Sequence, residues 1–202
     1  TCALTSIANL LTQSGLPTTE GEVVQRAIDR EWAVTDTAVT RYERGGSNFL
    51  QQQALLDSFG MRNRLLPGYD EVTLAHMIRS GRGVIVGLNC GKLWDDAAYL
   101  DDGGVNHVVT LTGVALGEDD GLLQGFYIAD SGRQRVGDMT RFVAIDEFRQ
   151  VAFVPNAYAI YTKEAVKLWN EDIDGHGNEL DNILVGNRGN NLLAGGGGND
   201  TL

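Results

Sequence analysis

Two cysteines and three histidines are the residues of this 202-residue chain best suited to nucleophilic or acid–base chemistry. Cys2 begins an apolar segment, and one helical face of that segment carries Leu4, Ile7, Ala8 and Leu11. The free N–H groups and the dipole of a helix N-terminus favour a thiolate over a thiol. Cys2 is therefore a candidate nucleophile. The alternative is a small buried hydrophobic residue, which is the commoner state of a lone cysteine.

Two further stretches carry the groups that would activate such a thiol. His107 opens the β-branched run His-Val-Val-Thr-Leu-Thr, and Asp130 ends the apolar run Gly-Phe-Tyr-Ile-Ala-Asp. A thiol needs a base to take its proton, and the base needs a third group to orient it. Cys2, His107 and Asp130 supply these three types of group in a workable order.

These three stretches resemble the active-site blocks of papain-like cysteine peptidases, in particular the bacterial branch that processes bacteriocin leaders. The blocks are Cys-Ala-Leu-Thr-Ser-Ile-Ala-Asn, Asn-His-Val-Val-Thr-Leu-Thr-Gly and Ile-Ala-Asp-Ser-Gly, and the resemblance spans roughly residues 1–163. It implies that Cys2 is the nucleophile, His107 the general base and acid, and Asp130 the group that orients the imidazole. It also implies a papain-like fold and no cofactor for catalysis.

The chain departs from the family pattern at two points. The family places a glutamine oxyanion donor a few residues before the cysteine, and this sequence starts at Thr1. Papain itself has Asn as the orienting residue, whereas the bacterial branch accepts the Asp seen here. A disulfide between Cys2 and Cys90 would exclude the enzyme hypothesis. Because Cys90 follows an apolar run typical of an interior strand, we expect it to be a buried free thiol.

The hydrophobic pattern divides the chain into a helical first half and a strand-rich second half. Helical spacing and capping residues predict helices after Cys2 and over 19–32, 47–59 and 70–81. Extended patterns predict strands over 83–90, 106–116, 122–130 and 156–162, with a less regular segment at 136–144 and a short helix or turn at 145–151. The sequence thus predicts an α+β protein, with a helical N-terminal lobe and an antiparallel β-sheet C-terminal lobe separated by a cleft.

The loop over 91–104 immediately precedes His107 and contains Trp94. Loops beside active sites often shape specificity, so Trp94 is a candidate substrate-binding residue. The alternative is that its ring folds back onto the core, since aromatic residues serve both purposes.

From Gly177 the sequence repeats every nine residues, with leucine at the eighth position of each repeat. This resembles the glycine-rich nonapeptide of RTX proteins, which implies a calcium-binding parallel β-roll that begins here. The implied Ca²⁺ ligands are Gly189, Asn191, Gly198 and Asp200. Asp200 alone places a carboxylate at the sixth position, so we expect the earlier turns to bind Ca²⁺ weakly or not at all. The alternative, a disordered linker, does not explain leucine at a fixed phase.

Composition and charge limit the kinds of partner that this chain can bind. A formal net charge of −11 argues against nucleic acid and anionic membranes, and no apolar run is long enough to span a bilayer. The N-terminus lacks the pattern of a secretory signal. The RTX resemblance implies export by a type I secretion machinery, so we expect a secreted bacterial protein whose repeats fold where calcium is abundant.

These observations predict a peptidase domain over 1–165, a linker over 166–176 and RTX repeats over 177–202. The leading hypothesis is a cysteine peptidase acting on a protein or peptide, with its own chain as a candidate substrate. Two alternatives stay open. One is a non-catalytic module that retains the fold to hold a peptide during secretion or assembly. The other is an enzyme that uses the same triad for another acyl transfer, such as deamidation or transglutamination.

Overall fold

A computed structural model describes residues 2–36, 45–118, 120–132, 140–166, 175–176 and 192–201. The helices are α1 (Cys2–Gln13), α2 (Glu20–Asp29), α3 (Phe49–Ser58), α4 (Glu71–Arg79), α5 (Cys90–Leu93), a 3₁₀ turn (Ala97–Tyr99) and α6 (Ile145–Ala152). The strands are β1 (Asn63–Pro67), β2 (Arg82–Leu88), β3 (His107–Leu116), β4 (Leu123–Ala129), β5 (Thr140–Ala144), β6 (Tyr158–Ala165), β7 (Gly175–His176) and β8 (Leu193–Ala194).

Six of the strands form one sheet in the order β1-β6-β2-β3-β4-β5, and every neighbouring pair is antiparallel. The mixed helical and antiparallel architecture confirms the predicted α+β class. β6 comes from the end of the domain and lies between β1 and β2, pairing Asn63 with Thr162 and Val86 with Ala159. β6 therefore joins β1, which comes from the helical first half of the chain, to the rest of the sheet.

Helices cover both faces of this sheet. On one face α1, α2 and α3 pack on Ile85, Val108 and Ile160. On the other face α4 and α6 pack on the side chains that alternate with these, among them Val86 and Phe126. This alternation is the period of two that a strand imposes on its side chains. The cleft expected between two lobes stays a prediction.

Side-chain caps explain where the helices begin. The predicted capping box at α2 is present, because Thr19 accepts the Glu22 N–H while the Glu22 carboxylate accepts the Thr19 N–H. The N-cap of α3 is Asn48, one residue after the predicted Ser47. Asn48 and Gln51 exchange the same two hydrogen bonds, at 2.9 and 3.0 Å.

The C-terminal region contains a short parallel pair, β7 with β8, in which Gly175 lies opposite Leu193. The predicted β-roll falls mostly outside the described residues. Within the described ranges, no helix has the length and apolar character that crossing a membrane would require.

Candidate active site

Cys2 is the first residue of α1, and α1 is fastened to β3 by hydrogen bonds in both directions. The Ser6 hydroxyl donates to the Val108 carbonyl, and the Thr110 hydroxyl donates to the Ser6 carbonyl, each at 3.2 Å. Ser6 and Thr110 are both fully buried. Ser6 lies one helical turn after Cys2, so these bonds hold the start of α1 beside the start of β3, where His107 lies.

His107 and Asp130 lie at neighbouring ends of paired strands. His107 is the first residue of β3, and Asp130 directly follows β4, the antiparallel neighbour of β3. His107 Nε2 is 2.5 Å from Asp130 Oδ1, and both side chains are buried. This bond occupies one ring nitrogen and leaves Nδ1 for a second partner. The Cys2 thiol lies close enough to the same imidazole for the two groups to shift each other's pKa. The structure therefore brings all three predicted catalytic residues together.

The surroundings of Cys2 favour the thiolate. Burial alone raises the pKa of the thiol, but the hydrogen bond to His107 and the positive charge of its ring outweigh burial, and a hydrogen bond from the Val108 backbone adds to their effect. The pKa of Cys2 is lowered from 9.0 to about 7. At neutral pH a large fraction of the sulfur is then anionic.

The surroundings of His107 favour the imidazolium. Burial lowers its pKa, but the hydrogen bonds to Asp130 and Cys2 and their negative charges raise it from 6.5 to about 9. Burial raises the pKa of Asp130, and the hydrogen bond and charge of His107 outweigh this, so that the pKa stays below its usual 3.8. Asp130 is thus a buried carboxylate that remains charged because it is fully paired.

The second thiol has the opposite character. Cys90 and Cys2 are both free, as predicted for Cys90. Burial, together with the negative charges of Cys2, Asp101 and Asp130, raises the pKa of Cys90 to about 12. Cys90 is therefore protonated at neutral pH, and the two thiols are chemically distinguishable.

Trp94 lies against the histidine and the carboxylate. Its indole N–H donates to Asp130 Oδ2 at 3.0 Å, and its ring meets the His107 ring edge to face with centroids 4.9 Å apart. The sequence located Trp94 near the site but did not reveal the Asp130 contact. Its expected role in substrate binding stays a prediction.

Two asparagines that the sequence analysis did not single out hold the loop that carries Trp94. Asn89 caps α5 by accepting the Lys92 N–H, and its amide donates to the Leu100 and Gly104 carbonyls at 3.1 and 2.7 Å. Asn106 accepts the Cys90 N–H at 2.9 Å. The available signal was the position of these asparagines, since each stands directly beside a strand that borders the loop.

Part of the predicted calcium site is described. Gly189 and Asn191 lie outside the described residues. Gly198 has a φ of 102°, a backbone conformation that glycine adopts readily, whereas Asp200 packs on Gly195. A Cβ at Gly195 would be 2.1 Å from Asp200 Oδ2, so only glycine leaves room for this carboxylate. A carboxylate oxygen is a ligand type that suits a hard cation such as Ca²⁺. In the part of the chain that the structure describes, no group of three or more His, Cys, Asp or Glu is placed to hold a metal.

Comparison with known proteins gives matches for both parts of the chain. A family model described as the RTX calcium-binding nonapeptide repeat (4 copies) matches residues 176–202. No curated protein matches the sequence. Among solved structures, a putative C39-like peptidase from Bacillus anthracis is 18% identical with a TM-score of 0.52, covering 81% of this chain and 89% of the other.

A second solved structure is a double glycine motif protease from an AMS/PCAT transporter, in complex with its leader peptide. It is 18% identical with a TM-score of 0.48, covering 80% of this chain and 83% of that one. The chain thus has a mixed helical and antiparallel fold similar to that of the C39-like peptidase, followed by residues that match the RTX repeat.

Proposed function

We propose that this chain is a cysteine peptidase in which Cys2 is the nucleophile, His107 the general base and acid, and Asp130 the orienting group. One observation carries the proposal: His107 Nε2 lies 2.5 Å from Asp130 Oδ1, and the Cys2 thiol, 128 positions before Asp130, lies close enough to the same ring for the two groups to shift each other's pKa. The arrangement supports an acyl-transfer reaction because it joins a nucleophile, a base and an orienter in one chain of contacts.

The first half of the reaction uses the thiolate and imidazolium pair. His107 Nδ1 takes the proton of the Cys2 thiol, and the sulfur attacks the carbonyl carbon of the scissile peptide. When the C–N bond breaks, His107 returns the proton to the departing amine, and the acyl group remains on Cys2 as a thioester. The backbone N–H of Cys2, at the start of α1, would supply one donor to the oxyanion.

The second half regenerates the enzyme. His107 takes a proton from a water molecule, whose oxygen attacks the thioester carbonyl, and the C–S bond breaks to release the acid and the thiolate. Asp130 keeps the ring in the tautomer that presents Nδ1 to the sulfur, because its carboxylate accepts a hydrogen bond from the Nε2–H group. The buried charge of Asp130 also stabilises the imidazolium in both halves.

The proposed substrate is a protein or peptide, including the chain itself. The division into a peptidase domain over 1–165, a linker over 166–176 and repeats over 177–202 belongs to the same proposal. The RTX match over 176–202 supports Ca²⁺ binding by the repeats and, through them, export by a type I machinery to an extracellular location. Within the described residues Asp200 would be a Ca²⁺ ligand, and the cation would supply structural order to the repeats rather than chemistry at Cys2.

The test compares wild type with Cys2→Ala and His107→Ala, and Cys90→Ala is the matched cysteine control. Each protein is incubated with a library of denatured-protein peptides, with and without Ca²⁺, and all masses are recorded. We expect new peptide termini and a hydrolytic gain of water in wild type and Cys90→Ala, and none in the other two variants.

The same experiment covers self-processing, because fragments of the chain itself would appear in the same spectra. Cleavage that persists in Cys2→Ala would contradict the assigned nucleophile. A gain of about one mass unit at glutamine with no new termini would indicate deamidation instead of hydrolysis. Binding of peptides with no change of mass would support the non-catalytic alternative.

A further inference from the structure

Trp94 contacts both partners of the buried ion pair. The two oxygens of Asp130 have different partners: Oδ1 accepts from His107 and from the Gly132 N–H at 2.9 Å, whereas Oδ2 accepts from the Trp94 indole at 3.0 Å. A carboxylate held by donors on both oxygens has a fixed plane. Because His107 shares one of these oxygens, the plane of the carboxylate sets the direction of the His107 bond.

Trp94 is itself held in place from two sides. It caps the C-terminus of α5, where its backbone N–H donates to the Cys90 carbonyl at 2.8 Å. The Tyr99 ring also meets the Trp94 ring edge to face, with centroids 5.3 Å apart. Gly91 permits this arrangement, because a Cβ there would lie 2.5 Å from the Leu100 backbone nitrogen. The indole is thus part of a rigid support rather than a mobile side chain at a surface.

We propose that Trp94 is a positioning residue that orients the Asp130 carboxylate and, through it, the His107 ring toward Cys2. This inference rests on the proposed function and is separate from the role in substrate binding that the sequence suggested. The indole acts on the carboxylate through its N–H and on the imidazole through the ring contact, so it restricts both groups. Loss of the donor would let the carboxylate rotate and the imidazole tilt away from the thiol.

The test is the rate of Cys2 alkylation by iodoacetamide as a function of pH, measured by peptide mass spectrometry on the full 202-residue chain. Trp94→Phe keeps an aromatic ring but removes the donor. Trp32→Phe makes the same chemical change at a tryptophan of the α1 and α2 core. If His107 tilts away, the apparent pKa of Cys2 rises by about one unit, and alkylation near pH 6 becomes roughly 10-fold slower, while the rate near pH 10 is retained.

The outcomes separate this inference from the proposed function. A wild-type Cys2 pKa near the ordinary value of 9.0 would contradict the reactive thiolate itself. A wild-type pKa near 7 with an unchanged profile in Trp94→Phe would overturn only the role of Trp94. An equal loss at every pH, or a lowered pKa, would also overturn it, because these indicate altered access or a purely electronic effect. Trp32→Phe is expected to match wild type.

A second measurement needs no substitution at Trp94. The indole N–H resonances of the intact protein are followed by ¹H–¹⁵N NMR between about pH 6 and pH 10. The chain has three tryptophans, so Trp32→Phe and Trp169→Phe identify two of the signals and leave that of Trp94 as the third. The Trp94 signal is expected to shift with the titrations of Cys2 and His107, because its hydrogen-bond acceptor is the partner of His107. A Trp94 signal that stays constant through this range would overturn the proposal even if Trp94→Phe did not fold.

Discussion

Replacement of Asp130 by Asn tests whether this site needs a carboxylate. Papain itself carries Asn as its orienting residue, so the resemblance alone would suggest tolerance. The hydrogen bonds of Asp130 argue against such tolerance. Asp130 accepts from His107 and Gly132 on Oδ1 and from Trp94 on Oδ2. An amide offers one acceptor and one donor, so either orientation points an N–H group at another donor.

The expected loss of activity follows from the pKa values. With pKa values of about 7 for Cys2 and about 9 for His107, roughly four molecules in five hold the thiolate and imidazolium together at about pH 8. Without the carboxylate, the pKa of His107 falls toward 6.5 and that of Cys2 returns toward 9.0. Fewer than about one molecule in a hundred then holds the pair, which predicts a fall in turnover on the order of 100-fold.

The assay is the cleavage rate of one peptide that wild type hydrolyses, with Asp29→Asn as the control for removal of an exposed carboxylate. We also expect Asp130→Asn to lower the free energy of unfolding by about 1–3 kcal/mol, because a buried donor is left unpaired. In the double variant Asp130→Asn/Trp94→Phe, the indole N–H that would oppose the amide is gone. Trp94→Phe should therefore lower the free energy of unfolding by less in the Asp130→Asn protein than it does in wild type. Activity of Asp130→Asn within threefold of wild type would refute this reasoning. Strict additivity of the two losses in unfolding free energy would also refute it.

Three further predictions use other parts of the chain. The hydrolysis rate should rise as pH passes about 7, where the lowered pKa of Cys2 yields the thiolate, and fall above about 9, where His107 loses its proton; a pH series of kcat/KM checks both limbs. Gly91→Ala should cost about 1–3 kcal/mol in denaturant unfolding, because its Cβ would meet backbone atoms of Leu100. Gly21→Ala, where the Cβ meets only Thr19 Oγ1 at 3.8 Å, should be neutral or stabilising. Asp200→Asn should weaken Ca²⁺ binding on the order of 10-fold in calorimetry, and equal affinity would remove Asp200 from the ligands.

Local signals predicted most of the elements. Capping residues such as Thr19 and Asp70 stand at the first turns of their helices, because a side-chain acceptor satisfies the free N–H groups of a helix start. The β-branched runs became β2, β3 and β4 within one or two residues. The prediction that Ser47 caps α3 was wrong, because Ser and Asn both cap helices. Only the reciprocal hydrogen bonds with Gln51 identify Asn48 as the cap.

Contacts between distant parts of the chain could not be predicted from such local signals. Nothing in the period of β1 indicates that its partner is β6, about 100 residues later, because alternation identifies a buried face but not the neighbouring strand. Likewise the pattern separated helical segments from strand-rich ones, but it did not indicate which face of the sheet each helix covers. The structure puts α4 and α6 on the sheet face opposite α1, since β2 is buried on both sides and each side needs a cover.

The candidate site shows why motif reasoning located the reacting residues but missed their support. Cys2, His107 and Asp130 are a thiol, an imidazole and a carboxylate at the ends of regular elements. Their types and their order along the chain therefore indicated a catalytic triad. Trp94 lies in an irregular loop, and a single aromatic residue there has no periodicity that would reveal a contact 36 positions away. The role we propose for it depends on where its donor points, which is a property of the folded loop held by Asn89 and Asn106. Positioning groups of this kind are therefore predictable from a sequence only after the reacting groups have been assembled in space.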